Sequence, residues 1–256
     1  MKRFSLFLSL VLTVICSSRA VPTDSLHIVF VGNSITQGAL LAHPAAEAPP
    51  ATAAAYLGAR CPALHVDFSN CGVSGSTTVD FLPVADKLFP RVISAANGFA
   101  SQPGLMIFSI SLGTNDSAST RTTGAPVLPQ QYYTNLKVIV DELLKTYPGC
   151  KVVLQYPLWY SPTTFNGAMY LQAGLDRLQS YFPMIERLVK EYADTHPGRV
   201  WDGDPKAFSL FREHHQEYFT PENGHAGTFY LHPNRRGAEV LGRIWGETIL
   251  KAAGIK

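Results

Sequence analysis

The stretch His27-Ile28-Val29-Phe30-Val31-Gly32-Asn33-Ser34-Ile35-Thr36 passes from an apolar, β-branched run into a glycine and then into amide and hydroxyl side chains. A short apolar run closed by glycine reads as a strand buried on both faces, and such strands belong to parallel sheets covered by helices. Runs of the same kind recur at residues 65–69, 105–111 and 151–156, with a shorter one at 199–201. Between them, residues 51–60, 130–147, 170–192 and 233–251 carry apolar side chains at helical spacing. Strand and helix alternate, which predicts a doubly wound α/β domain with helices on both faces of a parallel sheet.

The chain has 256 residues, 46% of them hydrophobic and 16% charged, enough to bury one sizeable core. A net charge of +2, with no basic cluster beyond Lys2-Arg3 and Arg235-Arg236, points away from nucleic acid as a partner. A basic start, an apolar stretch to about Cys16, and small residues at Ser18 and Ala20 predict a secretion signal over 1–20 and one domain over 21–256. The apolar run is shorter than the roughly 20 residues that span a bilayer, so a secreted or periplasmic protein is expected, without stable membrane insertion. Ile15 precedes Cys16 where a lipoprotein signal has a small residue, which disfavours a lipid anchor. After that segment the chain keeps Cys61, Cys71 and Cys150, so at most one intrachain disulfide can form, Cys61 with Cys71 being conceivable.

Four short motifs carry chemistry. Ser34, after a strand and Gly32, stands where a sharp turn projects a hydroxyl above the sheet edge. In Asn70-Cys71-Gly72-Val73-Ser74-Gly75, glycines directly after a strand let the backbone approach a ligand and aim an amide at a developing oxyanion. Asn115, in Gly113-Thr114-Asn115-Asp116, offers an uncharged side-chain donor for the same purpose. His232, in His232-Pro233-Asn234, opens the C-terminal helix and supplies an imidazole. His214 and His215 are adjacent and face different ways, so a zinc site built from them with Glu213 or His225 is disfavoured.

With these four blocks in this order, the chain resembles the SGNH hydrolases, or GDSL esterases and lipases. The resemblance implies a three-layer α/β/α sandwich with a five-stranded, flavodoxin-like parallel sheet. It also implies ester hydrolysis without a metal or cofactor, with Ser34 and His232 as catalytic pair and Ser34, Gly72 and Asn115 as oxyanion hole. The pattern departs in two places. Asn33 stands where the family has Asp, keeping an acceptor for the turn; Phe229 stands three residues before His232, where the family has its catalytic Asp.

Phenylalanine accepts no hydrogen bond, so either a backbone carbonyl or a displaced acid (Asp202, Asp204 or Glu222) must orient His232. Tyr156, Trp159, Tyr160, Phe165 and Tyr170 fall close together after the fourth strand, and Trp159 and Tyr160 are candidate platforms for a sugar ring. Together with the resemblance to exported carbohydrate esterases, this predicts removal of acetyl groups from a glycan or sialic acid. A lipase, lysophospholipase or thioesterase and a non-catalytic binder of acylated glycans are the alternatives.

Overall fold

The computed structural model describes residues 24–255; the segment read as a signal, 1–20, lies outside them. Strands β1 (Ser25–Gly32), β2 (His65–Asn70), β3 (Leu105–Ser111), β4 (Lys151–Leu154) and β5 (Val200–Asp202) form a five-stranded sheet in the order β2-β1-β3-β4-β5. Every pairing is parallel. The chain moves from β1 to β2 on one side and then returns to β3 on the other. The crevice above the carboxyl ends of β1 and β3 is therefore the switch point at which sheets of this kind hold ligands.

Helices α1 (Ser34–Gln37), α2 (Pro44–Glu47) and α3 (Pro49–Arg60) connect β1 to β2, and α4 (Phe89–Asn97) precedes β3. Next come α5 (Pro129–Thr146), α6 (Leu171–Gln179), α7 (Phe182–Thr195), α8 (Lys206–Glu213) and α9 (His215–Tyr218). The strands alternate sides, and their contacts define the layers. Phe30 of β1 stacks on Trp245 of α10 (Arg235–Ala253), whereas His27, of opposite parity, stacks on Phe99 just after α4. On β3, Phe108 meets Tyr147 at the end of α5, while Ser109 accepts a hydrogen bond from Gln155, which also donates to Thr248 of α10. Helix α10 packs on α3, and α5 on α7. The sheet is thus sandwiched between two helical layers, as expected.

Two expectations fail locally. Residues 170–192 form two helices rather than one, because Pro183 sits in the first turn of α7, where it can open a helix but not continue one. The stretch after β5, in which neither apolar strand runs nor helical spacing predicted an element, contains α8, α9 and an antiparallel hairpin, β6 (Phe219–Gly224) with β7 (Gly227–Pro233). The conceivable Cys61–Cys71 bridge is absent, and all three described cysteines are free. Those two residues flank β2 at opposite ends, a separation of roughly 20 Å for a six-residue strand, far beyond disulfide reach.

Candidate active site

Ser34 is the first residue of α1, directly beyond β1. The turn is held by Asn33, whose Oδ1 accepts the Ile35 N–H at 3.0 Å, so the amide does the capping work that the family's Asp would do. The Ser34 hydroxyl thereby points up from the sheet edge and meets His232 Nε2 at 2.9 Å. Both residues are largely enclosed, 8% and 9% exposed.

The hairpin supplies what the sequence around His232 lacks. His232 lies on β7, and Glu222 on β6 pairs in register with Phe229, the position at which an acid was expected and not found. The Glu222 carboxylate takes the ring Nδ1 at 2.9 Å and the His232 backbone N–H at 3.2 Å through the same Oε1. A carboxylate at Nδ1 leaves Nε2 free to accept from the Ser34 hydroxyl. Of the four candidates for orienting the imidazole, Glu222 is the one the fold brings to it. Asp202 accepts from the Tyr156 hydroxyl at 3.2 Å, and Asp204 caps the Lys206 N–H at 2.9 Å. Asp202 ends β5 and Asp204 follows it, three strands from β1 and so roughly 14 Å across the sheet.

The turn after β2 divides the roles of its two glycines differently from the expectation. Gly72 N–H already donates to Asn70 Oδ1 at 2.9 Å, and a Cβ at Gly72 would lie 2.4 Å from the Gln37 nitrogen. Its missing side chain serves to let this turn lie against α1. Gly75 has φ +79° with open space around it, and among the described residues no acceptor meets its N–H or that of Ser34. Asn115 donates Nδ2 to the Ser76 carbonyl at 2.8 Å, which brings the amide alongside Gly75 and leaves its second N–H for a ligand. The adjacent Asp116 is fully buried, accepts from the Thr78 N–H at 2.9 Å and from the Thr78 hydroxyl, and burial pushes its pKa up to about 6. Asn115 and Asp116 therefore grip the same turn, 76–78, side by side.

The aromatic residues after β4 are interior. Tyr160 is 0% exposed, its hydroxyl bonded to Ser117 Oγ at 2.8 Å, and Trp159, 8% exposed, packs against His215 and Phe219. Neither offers an open ring face, so the expected sugar platform is not built from them. A cavity of about 470 Å³ lies at the opposite end of the sheet, lined by His27, Phe99, Met106, Tyr147 and Cys150, and includes none of Ser34, His232 or Glu222. Among the described residues no helix is long and apolar enough to cross a membrane.

Solved structures share this architecture at low identity. An acetylxylan esterase from Geobacillus stearothermophilus superposes with TM-score 0.57 and 19% identity over 90% of this chain and 94% of its own. A carbohydrate acetylesterase from Sinorhizobium meliloti gives TM-score 0.57 and 17% identity over 88% of this chain and 98% of its own. A two-domain esterase active on acetylated mannans gives TM-score 0.57 and 17% identity over 91% of this chain, which spans only 51% of that longer protein. No curated protein matches in sequence. Residues 30–240, from within β1 into α10, match the GDSL-like lipase/acylhydrolase family, and the chain belongs to that family.

Proposed function

We propose that the protein is an exported serine esterase that removes short acyl groups, acetyl above all, from carbohydrate esters. The observation that carries this reading is the hydrogen-bonded line Ser34 Oγ, His232 Nε2, His232 Nδ1, Glu222 Oε1, with both hydrogen bonds at 2.9 Å. His232 takes the Ser34 proton as Oγ attacks the ester carbonyl, and Glu222 stabilises the imidazolium that forms. The tetrahedral oxyanion is met by the N–H groups of Ser34 and Gly75 and by the second Nδ2 proton of Asn115. His232 then protonates the departing alcohol, activates water, and the acyl-enzyme is hydrolysed to the free acid. The carbohydrate substrate is favoured by the similarity to esterases of acetylated xylan and mannan.

Hydrolysis of p-nitrophenyl acetate, butyrate and octanoate by wild type and Ser34→Ala tests the reading. Acetate-selective turnover that is lost in Ser34→Ala supports it, with acetylated xylan as the next substrate. Rates that rise with acyl length move the assignment to a lipase, and turnover that survives Ser34→Ala refutes the nucleophile.

A further inference from the structure

A side-chain amide can stabilise an oxyanion only if its NH₂ end faces the substrate, and an Asn is free to rotate by 180° unless both ends are pinned. The NH₂ end of Asn115 is drawn to the Ser76 carbonyl, which can only accept. Its Oδ1 receives the Tyr170 hydroxyl at 2.6 Å. Tyr170 is itself buried, with its ring edge-on to Tyr160. Its backbone N–H and that of Leu171 both donate to the Thr164 carbonyl, at 3.2 and 3.1 Å. Leu171 is held at φ +54°, a conformation a leucine adopts only under constraint. The loop that fixes Tyr170 also ties down the hairpin: Ser161 N–H donates to the Tyr230 carbonyl at 3.0 Å, and Thr163 Oγ1 donates to the Thr228 carbonyl at 2.9 Å.

We propose that Tyr170 is a positioning residue, whose hydroxyl locks the Asn115 amide in the orientation that leaves one N–H aimed at the oxyanion. The proposal rests on the serine-esterase reading above. Without that hydroxyl, Oδ1 loses its partner and the amide samples rotations in which no donor faces the developing charge. Because an oxyanion donor acts on the transition state more than on the bound ester, the loss falls on kcat.

The test compares wild type, Tyr170→Phe, Asn115→Ala and the double variant on p-nitrophenyl acetate, with Ser34→Ala as the zero and circular dichroism to establish folding. Tyr170→Phe is expected to lower kcat by about tenfold or more, below the 10²–10³-fold typical of deleting an oxyanion donor outright, with KM within about twofold and the pH profile unchanged. In the Asn115→Ala background the same substitution is expected to cost nothing further, because its target is gone. A wild-type kcat in Tyr170→Phe, or losses that multiply in the double variant, overturn the role. Absence of Ser34-dependent turnover in the wild type overturns the esterase reading itself, and this role with it.

Discussion

At the scale of single residues, the larger of the two departures from the family pattern is Phe229 in place of an acid, with Glu222 against His232 instead. Glu222→Gln keeps the shape and a hydrogen bond but presents Nδ1 with an amide that can stabilise the wrong tautomer. The equivalent acid-to-amide change in a serine protease lowers kcat about 10⁴-fold, and a loss of about 10² to 10⁴ is expected here with the protein still folded. Asp202→Ala and Asp204→Ala, which serve Tyr156 and the start of α8, are expected to keep near wild-type kcat on the same ester. Nearly full activity in Glu222→Gln would return the carbonyl-supported dyad to favour. Ser34, His232 and Asn115, the residues proposed as nucleophile, base and oxyanion donor, could be picked out in the sequence because each sits beside a clear strand end or helix start. Glu222 was legible only as one of three candidate acids, since its partnership depends on a strand pairing that no local spacing encodes.

At the scale of elements, the hairpin β6–β7 is the part that sequence periodicity concealed. Its strands carry Pro221, Gly224 and Gly227, which read as loop residues, and its pairing includes an irregularity between Phe219 and Pro221. Of the five sheet strands, by contrast, the inner β1, β3 and β4 are largely buried runs and the edge strands β2 and β5 are half-buried, and the positions of all five were readable to within two or three residues at either end. Phe229 has become part of the hairpin's apolar underside, 1% exposed, where its register partner holds the charge instead. Phe229→Ala is expected to destabilise the protein by about 3–5 kcal/mol and to lower kcat as the Glu222 strand loosens. Urea unfolding measured alongside turnover checks this, and an unchanged unfolding midpoint would remove Phe229 from the hairpin's support.

At the scale of the whole molecule, Asp116 makes stability depend on pH in a direction opposite to most carboxylates. Its folded pKa of about 6 lies above the ordinary value of 3.8, so between them the folded chain holds a proton that the unfolded chain has lost. Stability from this group is therefore greatest below about pH 4, declines as pH rises to about 6, and is level above that, a span of ~3 kcal/mol. Asp116→Asn is expected to flatten that segment of the curve of Tm against pH. A slope unchanged by the substitution would mean that another group sets it. The sequence could not foretell this, because burial of Asp116 arises only when the turn at 76–78 closes over it.

The separation of Ser34 from His232, 198 positions along the chain, also has a consequence in time. Ser34 and its helix leave the ribosome well before the hairpin that bears His232 and Glu222. At translation rates of 5–20 residues per second this leaves roughly 10–40 s in which a nascent chain holds a serine with no partner to ionise it. On the proposed esterase reading the centre is therefore assembled only once the hairpin has emerged and folded, and a chain stalled before it is expected to be silent toward esters.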